Sequence, residues 1–257
     1  MNNALNFTRL WMLIKKQWFD NSKLYTLGIV ALFGLMAMVF FFWAGVSGPY
    51  YDETETYVMF WVGLFMFGLI FASITFGSLS ERPKGIYWLS VPATHLEKLI
   101  CGIIYSTILF VLVYVACFYI IQPITLWLIS MKPNVTIRKM PGMNEPMRAA
   151  IYIFFSVQAL FILGSVYFER FSFIKTAIAG FLFIVLFGIY MNLVTKALIP
   201  HNAGAYDLTS LRMYEGNVVK IYQLGTWVDK TELFLLKYMW VPIFWVAAYF
   251  RLKEKEI

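Results

Sequence analysis

The chain has 257 residues, 61% of them hydrophobic and 19% aromatic, and only 14% are charged. Soluble domains carry roughly 25% charged residues, so a water-soluble globular class is excluded, and several apolar runs reach the ~20 residues that a helix needs to cross a bilayer core. The net charge of +7 does not point to nucleic acid, because no arginine- or lysine-rich tract occurs and the basic residues flank apolar runs.

In chain order, the first element is amphipathic. Phe7, Leu10, Trp11, Ile14 and Trp18 recur at i, i+3, i+4, i+7 and i+11, one face of a helix, with Arg9, Lys15 and Lys16 off that face. Residues 1–23 are expected as a helix in the membrane interface on the cytoplasmic side; packing on a soluble partner is the other reading. The next apolar run is 23 residues long, longer than the core of a cleavable signal, so it is expected to stay as a span.

Six spans are predicted, at Leu24–Val46, Tyr57–Gly77, Leu99–Ile121, Ala149–Phe168, Thr176–Leu198 and Leu233–Phe250. The third run stays apolar to Ser130, 32 residues in all and about 48 Å as a helix, too short for two spans and a turn. Pro123 is expected to kink or end it, leaving Ile124–Ser130 at the far interface. Residues 78–98 form the first loop on the side of the N-terminus. Residues 199–232 form a long segment on the opposite side, whose "LTSLRMYEGNVVKIYQLGTW" alternates apolar and polar residues and is read as short helices. The whole chain is expected as one all-α polytopic transmembrane domain.

Counting lysine and arginine orients it. With the N-terminus inside, the inner segments hold twelve and the outer segments eight. The first outer loop, "SGPYYDETET", has none, while the stretch before the first span has four, and the first span usually dominates. Both termini are therefore expected in the cytoplasm.

Several chemistries are absent. There is no G-x-x-x-x-G-K-[ST], H-E-x-x-H, C-x-x-C or G-x-S-x-G. His95 and His201 fall on opposite sides of the membrane and share no metal in this topology. Cys101 and Cys117 are sixteen residues apart, about 24 Å along a helix and beyond disulfide reach, so both are read as packing residues. No catalytic residue, cofactor or metal is expected. From Leu24 to Val46, Tyr57 to Gly77, Leu99 to Ser130, Ala149 to Phe168 and Thr176 to Thr195 there is no Asp, Glu, Lys, Arg or His. Lys237 is placed to snorkel. A carrier with its own ion coupling usually needs ionisable groups at membrane depth, so energy for any transport is expected from a partner. Gln122, Gln158 and Asn192 either join helices or line a path.

The loop "ERPKGIYWLSVPATHLEK", residues 81–98, carries more than a connector needs. Thr94 and Glu97 match a capping box opening the third span, and Lys98 fits as a flanking charge. Gly85 to Leu89 can form about one helical turn bearing Ile86, Tyr87, Trp88 and Leu89 beside Arg82 and Lys84. Its aromatics either lie at headgroup level or anchor a cytoplasmic partner within a charged rim.

A basic amphipathic helix followed by six spans with both ends cytoplasmic resembles the permease subunit of type-2 ABC transporters. The stretch "YWLSVPATHLEKL" is similar to the "(Y/W)-L-x-L-P-(A/V)-S-x-x-E-K" loop of small ABC-type permeases from Bacteroidetes, with Thr94 where the pattern has Ser. The opening "FTRLWMLIKKQWFDN" and the tail "YFRLKEKEI" are similar to the ends of those proteins. The resemblance implies a permease subunit of an ATP-driven exporter in a bacterial inner membrane. It implies pairing with itself or a homologous permease, and a separate cytoplasmic P-loop ATPase that touches Arg82, Lys84, Ile86, Tyr87, Trp88 and Leu89. The alternative is a non-transporting membrane scaffold or sensor component that docks a cytoplasmic partner through the same loop.

Overall fold

The computed structural model of the chain describes residues 5–46, 50–77, 91–133, 136–138, 145–168, 170–198, 203–207, 210–215, 218–223, 227, 230–231 and 234–254. The architecture is predominantly helical, and among the described residues five helices are long and apolar enough to cross a membrane. α1 is Phe7–Val46, α2 Glu53–Ile74, α3 His95–Ser130, α4 Glu145–Tyr167 and α5 Ser172–Leu198. A π-helical turn, Leu235–Met239, leads into α6, Trp240–Glu254.

Successive helices run up and down, giving the bundle two ends. At one lie the start of α3, the end of α4 and the end of α6, with Leu99, Val166 and Leu252 in one buried cluster. At the other, β1 (Tyr50–Asp52) pairs in parallel with β2 (Thr136–Arg138), tying the α1–α2 connection to the α3–α4 connection. Ala44, Tyr51 and Ile129 are buried beside that pair. Asp52 caps α2, its carboxylate accepting from the Thr54 N–H at 2.9 Å. The Thr54 side chain and backbone N–H hold that carboxyl below its usual range.

α1 breaks at Asn21, whose backbone is non-helical (φ −118, ψ 16). The cause is local: Asn21 Nδ2 donates to the Gln17 carbonyl at 3.2 Å, and Ser22 Oγ donates to the Phe19 carbonyl. Short polar side chains offer the backbone partners that compete with the helical ladder. The break separates the basic first stretch, residues 7–20, from a stretch that has no charged residue after Lys23. On the first stretch Leu10 and Leu13 are buried against Cys101 and Tyr105 of α3, whereas Phe7 and Trp11 are exposed. The apolar residues thus divide between a face on the protein and a face left open.

Three expectations are corrected. α3 does not end at Pro123; helix continues from Phe110 to Ser130. Ending it there would leave several carbonyls without partners, a larger cost in lipid than the single bond that proline removes. Lys98 is not a solvated flanking charge but is 2% exposed. The segment read as short outer helices forms an antiparallel sheet: β3 (Ala203–Asp207), β4 (Ser210–Glu215) and β5 (Val218–Gln223), in the order β3-β4-β5. Its alternation had period two, which is the strand period. The sequence between paired Glu215 and Val218 is Gly-Asn, a hairpin signal. Cys101 and Cys117 are buried and free.

Candidate functional site

The residues read as ATPase-contacting, Arg82, Lys84, Ile86, Tyr87, Trp88 and Leu89, lie outside the described residues. The chain returns at Val91, and the structure there is dominated by one carboxylate. Thr94 caps α3: its Oγ1 accepts from the Glu97 N–H at 3.3 Å, while Glu97 Oε2 accepts from the Thr94 N–H at 2.9 Å. Glu97 does a second job that the sequence pattern does not announce. Its Oε1 accepts from the Asn6 N–H at 2.8 Å and lies 3.2 Å from Arg9 Nη2. The Glu97 side chain is fully buried, and Arg9 is 41% exposed. A charge taken out of water is tolerated only when paired and hydrogen-bonded, and this one is, by its own helix cap and by a segment whose Asn6 lies ninety-one residues away.

The same two elements meet again about two turns further on. Tyr105 Oη donates to the Ile14 carbonyl at 2.8 Å and stacks on Tyr25 at 5.2 Å between centroids. Gln17 Nε2 in turn donates to Tyr25 Oη at 3.1 Å. The first stretch of α1 is therefore latched to α3 at two levels, both immediately after the loop that carries residues 82–89. Beside the latch, a cavity of about 650 Å3 lies between residues 9–16 and Val91, Pro92 and Ala93.

α3 changes character at the second level of the latch, in the turn that holds Tyr105. Ile104–Leu109 is π-helical, a form that appears mostly as single turns inside α-helices, frequently at functional sites. Gln158 of α4, with no exposed surface, donates from Nε2 to the Ser106 carbonyl in this turn at 2.6 Å. Gln158 thus joins helices, one of the two roles its sequence position allowed, and its Oε1 is buried without a partner. Gln122 is half-buried and Asn192 is exposed.

Beyond this pin, a cleft of about 410 Å3 lies between α3 and α4. On α3 it is lined by Val111, Val115, Phe118 and Tyr119, all on the far side of Ser106; on α4 by Met147, Ile151, Phe154 and Phe155, all preceding Gln158. Tyr57, Phe60, Trp61 and Leu64 of α2, which packs on both helices, close its back. The rings are fixed by contacts with one another: Phe60 to Phe118 at 4.6 Å, and Phe65 to Phe154 and Phe154 to Phe155 each at 5.4 Å between centroids. Tyr114 Oη donates to the Phe60 carbonyl at 2.8 Å, and a side chain at Gly63 would collide with that hydroxyl. No cluster of three or more metal-ligating side chains occurs among the described residues.

The sequence reading reached Thr94 and Glu97 as a cap and missed Arg9 and Asn6 as their partners. It had no means of finding the π turn or the cleft, although the aromatic content of the second and third spans was visible. No protein-family model, curated protein or solved structure matches the chain.

Proposed function

We propose that the chain is the membrane-spanning permease subunit of an ATP-driven ABC exporter of the type-2 kind. In this reading it has six spans, the last comprising the π turn and α6, and both termini face the cytoplasm of a bacterial inner membrane. It works with a second copy or a homologous permease and with a separate P-loop ATPase that contacts residues 82–89.

The observation that carries the reading is the Glu97 latch. A permease without an engine needs a stiff part just inside the loop that receives the push. Here the first turn of α3 is bound to the N-terminal helix through one buried carboxylate. A push on residues 82–89 reaches Thr94, and the latch makes α3 and the first stretch of α1 move together. The absence of ionisable residues from five of the apolar runs favours an external energy source over ion coupling.

The experiment is purification of the chain from its native membrane under mild detergent. A stoichiometric P-loop ATPase with vanadate-sensitive turnover is the expected result. Absence of any ATPase overturns the reading in favour of a non-transporting scaffold. Reversing the charge of Arg82 and Lys84 together with Trp88→Ala is expected to uncouple ATP hydrolysis from transport while the protein stays folded.

A further inference from the structure

We propose that the cleft between α3 and α4 is a binding site for an uncharged, predominantly aromatic small molecule. Naming that molecule as cargo rests on the permease reading; the binding itself does not.

Size comes first. The volume of about 410 Å3 lies inside the range of about 300–1,000 Å3 typical of small-molecule sites. Charge comes next: among the described residues the lining contains no Asp, Glu, Lys, Arg or His, so an ionic ligand would lose its hydration with no charge there to replace it.

The chemistry of the walls then separates a flat aromatic molecule from a lipid chain. Seven of the twelve lining residues are aromatic, against 19% of the chain. A second groove, of about 190 Å3 between α1, α2 and α3, has ten non-aromatic residues among its fourteen. Aliphatic walls such as Leu32, Leu35, Ile70 and Ile74 suit an acyl chain. Ring walls add offset-stacked and edge-to-face contacts, which reward only a ligand that is itself a ring system. Those walls are preorganised by the Phe60–Phe118 and Phe154–Phe155 contacts, so the slot does not have to be built when the ligand arrives. Tyr57 and Tyr119 supply phenol groups to the lining, suited to a ligand carrying one hydrogen-bond acceptor.

The test uses the whole chain in lipid nanodiscs, with pyrene as the probe and perhydropyrene, its fully saturated counterpart, as competitor. Uptake is followed by energy transfer from tryptophan. Saturable binding near one pyrene per chain is expected, with perhydropyrene competing at least tenfold more weakly. Val111→Phe on one wall and Ile151→Phe on the other fill the slot from opposite sides, and each is expected to weaken binding at least tenfold. Ile184→Phe, on the exposed face of α5, is expected to leave it unchanged. Uptake that rises linearly with lipid, equal competition by perhydropyrene, or wild-type affinity in both filling variants overturns the assignment. The competition is run on the unaltered chain, so misfolding of a variant does not remove the test. Failure here leaves the ATPase co-purification, and with it the permease reading, to stand or fall separately.

Discussion

α4 and α5 have 23 and 27 residues and are both apolar enough to span a membrane, yet half of the most apolar stretch of α4 is buried and none of that of α5. Hydropathy cannot tell them apart, because lipid tails are as apolar as leucine and give helices no hydrophobic reason to associate. What separates them is side-chain size and polarity. The buried face of α4 carries Ser156, Gln158, Ala159, Ile162 and Ser165, and its Gly164 meets Thr176 of α5 so closely that an added Cβ would lie 2.8 Å from the Thr176 Cβ. Small residues let backbones approach, and polar ones bond across helices. α5 instead presents Phe181, Phe183, Leu186 and Ile189 outward. α4 is a structural centre and α5 an outer wall.

Substitutions at the polar joints and at matched apolar positions test that contrast. The largest effect is expected at the latch. Glu97→Ala removes the acceptor of the Asn6 and Thr94 N–H groups and the partner of Arg9. A loss of about 2–4 kcal/mol is expected, seen as a lowered thermal midpoint in detergent, while Glu97→Gln, which retains an acceptor, recovers part of it.

Next is Gly164→Leu, which forces α4 and α5 apart; overpacking of this kind costs about 1–3 kcal/mol. Release of α5 is expected as faster hydrogen exchange in residues 172–180. Ile162→Ala, at a fully buried position of α4, is expected to cost about 2 kcal/mol through the cavity it leaves. Ile184→Ala on the exposed face of α5 is expected to stay within about 0.5 kcal/mol. Equal losses for the two would erase the distinction between centre and wall.

Gln158→Leu deletes one interhelical hydrogen bond and also one buried acceptor without a partner. Its net effect on stability is therefore expected to stay under about 1 kcal/mol. Its signature is instead faster amide exchange across Ile104–Leu109. Smallest is the Asp52 cap. Its carboxyl titrates below the ordinary value, so its contribution is present above the unfolded pKa and is lost as pH falls through the folded one. Acid below about pH 4 is expected to fray the start of α2, an effect that Asp52→Asn abolishes.

The membrane class, the apolar cores of five helices and the third-helix cap were legible because each has a local cause: uninterrupted apolar length, or residues three apart such as Thr94 and Glu97. The Asn6–Glu97 and Ile14–Tyr105 contacts were not, since no pattern relates residues ninety-one positions apart. Reading "LTSLRMYEGNVVKIYQLGTW" as short helices took its alternation as a helical signal, where the period of two and the Val-Val-Lys-Ile-Tyr composition pointed to strands. The π turn left no trace because its residues, "IYSTIL", suit either helix type. The split apolar face of residues 7–20 looked like one stripe, since periodicity does not say which half a neighbour covers.

In the proposed permease, work entering beside Thr94 has to reach the cleft through α3, and the width of the cleft reports whether it does. Nitroxides on Ile120→Cys of α3 and Ile153→Cys of α4, with Cys101 and Cys117 replaced by alanine, read that width by electron–electron distance measurement in the complex with the proposed ATPase. A displaced distance distribution on trapping with ATP and vanadate, reverting without nucleotide and lost in Glu97→Ala, is the expected result. Identical distributions with and without nucleotide, while ATP is being hydrolysed, would contradict it.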